Sequence, residues 1–362
     1  MYTACNISRL THVTKRVPEL DGVRGVAILL VLVAHLVPNV IGDAGWLGVD
    51  LFFVLSGYLI TTVLLDGKAS PDRVRVFYTR RALRIFPLYY GTLVLSLVVP
   101  ALFHLPFFSD APDTWASTSH ALTWFWPYLA NFSTHPGVLS HFWSLCVEEQ
   151  FYFVWPWVIW RCQDTSVRRI AWGAIVVAIA LRVTLVLRHA PVLAIYSLTP
   201  CRMDALAIGA LVALSPRTAV LRTIRWPAAI AGVVLMAVAL RFHGLRPTNA
   251  WVETIGFTSG DVLGAWLVVV ALSYAPAALR SPILRWFGTY SYGLYVLHRF
   301  VIRGLEISGW DDADPMFGVM AFGLSCVVAW ISYNAYELPF LRLKDVRRQT
   351  HSAPPHAAEA TT

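Results

Sequence analysis

The chain has 362 residues, of which 57% are hydrophobic and only 14% charged, and its mean hydropathy is +0.59. A soluble domain carries about 25% charged residues, so this composition excludes an ordinary water-soluble enzyme and predicts a polytopic membrane protein. The net charge of +8 does not indicate a nucleic-acid partner, because the basic residues sit in short loops between apolar runs, as positive-inside topology requires.

Apolar stretches near the ~20 residues that cross a bilayer recur from Val23 almost to the C-terminus. They predict an all-α bundle of about ten transmembrane helices, with both termini cytoplasmic. Residues 18–343 form one membrane domain, residues 1–17 a cytoplasmic tail, and residues 344–362 a basic and then disordered cytoplasmic tail. The first span, about Val23 to Val37, carries Arg24 and His35 and lacks a cleavage site followed by a soluble region, so it is a retained helix rather than a signal peptide.

The second span, about Trp46 to Leu65, leads into a loop with Lys68, Arg73, Arg75, Arg80, Arg81 and Arg84, which should be cytoplasmic. The third runs from about Leu83 to His104, and the segment after it, FSDAPDTWASTSH, has no Lys or Arg and should lie outside. Ala121 to Phe132 is about half a span and reads as re-entrant or interfacial, leading into a fourth helix from about Phe142 to Trp160. Further spans fall near Ile170–Leu187, Met203–Leu214, Trp226–Phe242, Ile255–Tyr274, Tyr290–Leu305 and Met316–Tyr336. Five scattered cysteines form no CxxC pair and read as structural, and no internal repeat of the transporter kind is present.

A charged residue in hydrocarbon costs several kcal/mol, so each must be paired, hydrated or functional. Arg24 and His35 are eleven positions apart, about three helical turns and about 16 Å of rise, which puts them on nearly the same face of the first helix. Arg24 is then a snorkelling interfacial residue or a functional one. His35 is either hydrogen-bonded within the bundle or the general base that an imidazole can be near neutral pH. In HFWSLCVEEQFYFVWP, His141, Ser144, Glu148 and Tyr152 follow helical spacing and make a polar stripe. Glu148 and Glu149 point about 100° apart, and at least one is expected to serve a site at a depth comparable with His35.

Asp50, near the outer end of the second span, either orients His35 or sits among headgroups, and the Ser56–Gly57 pair suits close helix packing. Arg80, Arg81 and Arg84 could bind phosphates of a donor or of lipid headgroups. His298, three residues from Tyr295 on one face, reads as a structural hydrogen-bonding residue. No His, Cys or carboxylate set has metal-ligand spacing with a third partner, so no metal is expected.

Taken together, PELDGVRGVAILLVLVAH, FFVLSGYLI, FYTRRALRIFPLYY, HFWSLCVEEQFYFVWP, SYGLYVLH and YELPFLRL resemble, in order, the sequence blocks of the membrane acyltransferase-3 family over Pro18 to Leu343. The resemblance implies transfer of an acyl group, commonly acetyl, from cytoplasmic acyl-CoA to a hydroxyl of a sugar or glycosylated acceptor. It implies His35 as the catalytic histidine, Arg24 as its motif partner, and Arg80, Arg81 and Arg84 as the donor-handling arginines. Glu148 is expected to orient His35 or the acceptor.

Location in a bacterial cytoplasmic membrane is implied as well. Many members carry a soluble hydrolase-like domain after the last span, and this chain stops soon after Leu343, so such a step is expected to fall to a separate extracytoplasmic protein. Direct transfer and an acyl-enzyme both remain open, as do the acceptor and the oligomeric state. The rival reading is a transporter or flippase that uses the same buried ionisable groups to move protons or an anionic or sugar-linked solute.

Overall fold

The computed structural model describes residues 17–36, 42–103, 119–120, 122–133, 137–312 and 314–343. The N- and C-terminal tails, Cys5 and most of the expected outer segment after His104 lie outside them. Among the described residues the regular structure is entirely helical, in ten long helices. They are α1 (Pro18–Leu36), α2 (Trp46–Asp66), α3 (Arg73–Phe103), α4 (Trp143–Arg161), α5 (Asp164–Leu187), α6 (Thr199–Leu214), α7 (Arg217–Phe242), α8 (Phe257–Tyr274), α9 (Pro282–Ile307) and α10 (Pro315–Ser332). Seven stretches, covering α2, α3, α5, α6, α7, α8 and α10, are long and apolar enough to cross a membrane. The remaining helices, α1, α4 and α9, carry Arg24, His35, Glu148, Glu149 and His298, and their polar content sets them apart.

The helix ends have local causes. Ser281 accepts a hydrogen bond from the Leu284 amide with Pro282 opening α9, and Asp314 does the same for Met316 ahead of α10. Helix α3 begins ten residues before the expected Leu83, because Arg73–Ala82 contains no helix breaker; the charges end the membrane span, not the helix. The short sixth span is α6 preceded by a separate six-residue helix, Val192–Ser197, with Pro200 in the first turn of α6. Two π turns, Val252–Gly256 before α8 and Tyr333–Glu337 after α10, widen the helical path there.

Helix α1 packs along α9 and α2, while α2 packs along α6, α8 and α4; α5, α7 and α10 lie outside them. Backbones approach closely where side chains vanish. A methyl group on Gly57 of α2 would run into the Leu206 carbonyl of α6, and one on Gly209 of α6 into the Val54 carbonyl of α2. Among the described residues of the half-span after α3, Leu122 is helical and the chain then turns irregular. Residues 123–128 form turns and Ala130–Phe132 a single 3-10 turn, with Leu122, Phe125 and Asn131 buried. The Tyr89 hydroxyl of α3 donates to the Phe125 carbonyl at 2.8 Å and that of Tyr90 to the Trp126 carbonyl at 3.2 Å, so side chains of α3 satisfy part of this irregular backbone.

Candidate active site

A cavity of about 110 Å³ opens among α1, α2, α3, α4 and α9. This is room for several waters or a small acyl group. Its polar wall is built by helical periodicity. On α4, Ser144, Glu148 and Tyr152 repeat every four residues and all reach the cavity, joined by Glu149; on α3, Arg81 and Arg84 do so at i, i+3; on α1, Arg24 faces them. Phe52, Phe53 and Leu55 of α2 form an apolar wall.

Several hydrogen bonds fix this arrangement. Ser56 and Tyr152 share one of 2.5 Å between α2 and α4, and the Arg81 guanidinium lies 5.1 Å over the Tyr152 ring. Arg24 donates to Asp21 at 3.3 Å, and the Tyr292 hydroxyl of α9 donates to the Ile85 carbonyl of α3 at 2.8 Å. The Glu148 carboxyl group is in electrostatic reach of Arg81 and Arg24, so two of the cavity's cations are partly balanced from α4. Glu337, in the second π turn, is buried and in reach of Arg84 from behind.

At one end the cavity is capped by a hydrogen bond between Ser144 and Tyr295. Tyr295 also donates to the His141 carbonyl at 2.8 Å, which Ser144 approaches at 3.2 Å. Just beyond the cap three imidazoles meet. His35 and His298 have ring centroids 4.8 Å apart, and His298 and His141 4.9 Å apart, all edge to face. His35, one residue from the end of α1, is exposed, whereas His298 and His141 are buried. A backbone carbonyl can only accept, so the 2.9 Å contact between His35 Nδ1 and Val31 O puts a proton on Nδ1 and leaves Nε2 with a lone pair in the neutral ring.

Arg24, Arg81, Arg84 and Glu148 are therefore brought together in one cavity. His35 is not among its lining residues and stands with His298 and His141 instead. Glu148 is not a hydrogen-bond partner of His35; that place is taken by Val31. Arg80 is half-buried and does not line the cavity. Asp50 neither orients His35 nor sits among headgroups: it is fully buried in an ion pair with Arg202 of α6. Ser56, expected to serve packing, lines the cavity, while its neighbour Gly57 makes the close contact. Among the described residues no group of three His, Cys, Asp or Glu side chains could hold a metal ion, and the four described cysteines are free.

Sequence reasoning passed over a second set of buried charges. Arg182 of α5 bonds Asp204 of α6 at 2.7 Å and Thr258 of α8 at 2.5 Å, with Asp261 of α8 buried beside them. Arg202 lies 3.9 Å from the centre of the Phe257 ring. Counting every ionisable residue inside an apolar run, rather than only those within dense motifs, would have found them.

A family model described as an acyltransferase domain, of the acyltransferase-3 type, matches residues 17–334. The peptidoglycan O-acetyltransferase OatA of Listeria monocytogenes is 29% identical over 351 residues, covering 90% of this chain and 56% of the relative. A provisionally named O-acetyltransferase of Staphylococcus aureus is 27% identical over 354 residues, covering 90% of this chain and 57% of the relative. The chain thus spans little more than half the length of these relatives. No solved structure matches it.

Proposed function

Because the chain belongs to the acyltransferase-3 family, we propose that it is an O-acyltransferase that moves an acetyl group from acetyl-CoA to a hydroxyl of a cell-envelope carbohydrate. The relatives named for peptidoglycan O-acetylation make a peptidoglycan sugar the first acceptor to try. The observation that carries the reading is the cavity itself, where three cations, Arg24, Arg81 and Arg84, face an apolar wall and end at a cap next to His35. Guanidinium groups suit the phosphates of the donor, and the apolar wall suits the thioester and acyl carbon.

In this reading both termini are cytoplasmic, the membrane is the bacterial inner membrane, and acetyl-CoA enters from the Arg81 and Arg84 side. The thioester reaches the cap, and His35 Nε2 takes the proton of an acceptor hydroxyl arriving from outside. The acceptor oxygen forms a bond to the acyl carbon, the carbon–sulfur bond breaks, and the proton ends on the thiolate, giving free CoA. Glu148 holds Arg81 and Arg24 in place for the donor.

The test is label transfer from radioactive acetyl-CoA to peptidoglycan fragments by the purified chain, with His35→Ala beside it at equal folded amounts. Label on the glycan that His35→Ala abolishes supports the reading. Flux of an anionic or sugar-linked solute in reconstituted vesicles, with no label transferred, would replace it with a transporter.

A further inference from the structure

The three neighbouring arginines of α3 divide between two faces of the helix. Arg81 and Arg84 line the cavity, and Arg80 does not. Helical spacing puts Arg80 in line with Leu83, Pro87, Tyr90 and Val94, a stripe at intervals of three and four residues. Those four residues line a second, larger hollow, a groove of about 980 Å³ between α3, α9, α10 and the second π turn. It lies between two of the stretches that are apolar enough to cross a membrane, and Val94 and Tyr336 on its walls are exposed.

The polar side chains around this groove bond within the protein. The Tyr336 hydroxyl donates to the Pro87 carbonyl at 3.0 Å and that of Tyr90 to the Trp126 carbonyl at 3.2 Å, while Thr92 donates to the Tyr89 carbonyl at 2.7 Å and Ser332 to Glu337 at 3.3 Å. With these groups satisfied, the wall offers a ligand little but hydrocarbon contact, which suits an acyl chain and not a polar solute. From Leu83 to Val94 is about 16 Å of helical rise, about half of the ~30 Å hydrocarbon core of a bilayer. The groove is therefore as long as one leaflet is deep. Arg80 stands about 4.5 Å beyond Leu83, where its long side chain reaches the level of headgroup phosphates. Among the described residues it has no hydrogen bond or ion pair.

We propose that this groove is the binding site of one anionic glycerophospholipid, with an acyl chain along residues 83–94 and the headgroup phosphate paired with Arg80. Two features set it apart from the lipid that surrounds any membrane helix: a concave apolar surface whose own polar groups are satisfied, and an unpaired guanidinium in line with it. The site lies off the proposed transfer path and stands whether or not that reading holds.

The experiment titrates the purified full chain in detergent with phosphatidylglycerol or phosphatidylcholine of identical acyl chains, and native mass spectrometry counts the lipid retained. Both lipids carry the phosphate, but the choline cation offsets it. The wild type should keep one phosphatidylglycerol and bind it roughly tenfold more tightly than phosphatidylcholine. Arg80→Gln should erase that preference, and Arg80→Lys, which keeps the charge, should hold most of it. Val94→Trp, which fills the groove, should weaken both lipids, whereas Val233→Trp, at an exposed position of α7 outside the groove, should weaken neither. Equal binding of the two lipids, a preference that survives Arg80→Gln, or like behaviour of the two Trp variants would each overturn the proposal. So would displacement of the lipid by inorganic phosphate, which would make Arg80 a site for soluble anions, or a dimer lost in Val94→Trp, which would give the groove to a second copy of the chain. Should Arg80→Gln fail to accumulate, the comparison of the two lipids and the pair of Trp variants decide.

Discussion

Two groups of charge within this bundle are built differently: Arg182, Arg202, Asp50 and Asp204 are buried, whereas Arg24, Arg81 and Arg84 are half-buried. Around Arg202–Asp50 and Arg182–Asp204 the cations are matched with acids at contact distance and covered by Phe257. Around Arg24, Arg81 and Arg84, among the described residues, only Arg24 has an acid at contact distance, Asp21 at 3.3 Å, space for a small group remains, and the wall is shared by five helices. Buried charge that is paired and covered ties helices together; buried charge that faces a void is held ready for a ligand. The contrast is the basis for expecting stability from the first group and, in the proposed function, chemistry from the second.

The largest effect should come from the chemical side. Replacing His35 with Ala is expected to lower glycan acetylation by about 10²–10⁴-fold without changing membrane abundance or donor binding, because a positioned base acts on turnover. Gln at this position should be nearly as defective, which single-turnover label transfer would measure; near-normal rates in His35→Gln would move the base elsewhere, with Glu148 the next candidate.

On the structural side, Arg202→Met leaves Asp50 buried without its partner, at a cost of about 3–5 kcal/mol. Membrane abundance and thermal stability in detergent should fall while activity per folded molecule survives. Adding Asp50→Leu should recover much of the loss, since removing both charges removes the unpaired one; a double variant as unstable as the single would contradict the pairing argument.

Smaller effects sharpen the division within the cavity itself. Arg81→Ala with Arg84→Ala should raise the KM for acetyl-CoA more than it lowers kcat, each lost phosphate contact being worth about 1.5–3 kcal/mol. Arg80→Ala, off the cavity, should change donor KM least of the three, and kinetics on the purified single variants would rank them. Gly57→Ala should cost about 1–3 kcal/mol by forcing α2 from α6. Thermal unfolding would register that loss, with donor KM unaltered.

Much of this was legible in the sequence because membrane helices expose their period and their exceptions. The i, i+4 stripe Ser144–Glu148–Tyr152 is visible as spacing and is the wall of the cavity. Arg24 and His35 were visible as polar residues on one helix face, yet equal depth left Glu148 to orient either His35 or the acceptor, and depth does not specify which neighbour a side chain meets. Rotation about the α4 axis turns Glu148 toward α2 and α3, and the imidazole is anchored by its own helix instead. Asp50 was misjudged for a related reason: its partner lies 152 residues away in α6, and no local pattern announces a contact of that range. The His35–His298–His141 group joins α1, α9 and the turn before α4, so only the folded bundle brings it into view.

In the proposed function one path joins a donor cavity on the cytoplasmic side to a histidine cluster on the outer side. Proteoliposomes with uniformly oriented protein, with labelled acetyl-CoA supplied only on the Arg81 and Arg84 face and peptidoglycan fragments only on the His35 face, test it directly. The account predicts label on the glycan across the sealed membrane, lost in His35→Ala; label transfer only when donor and acceptor share a side would contradict it.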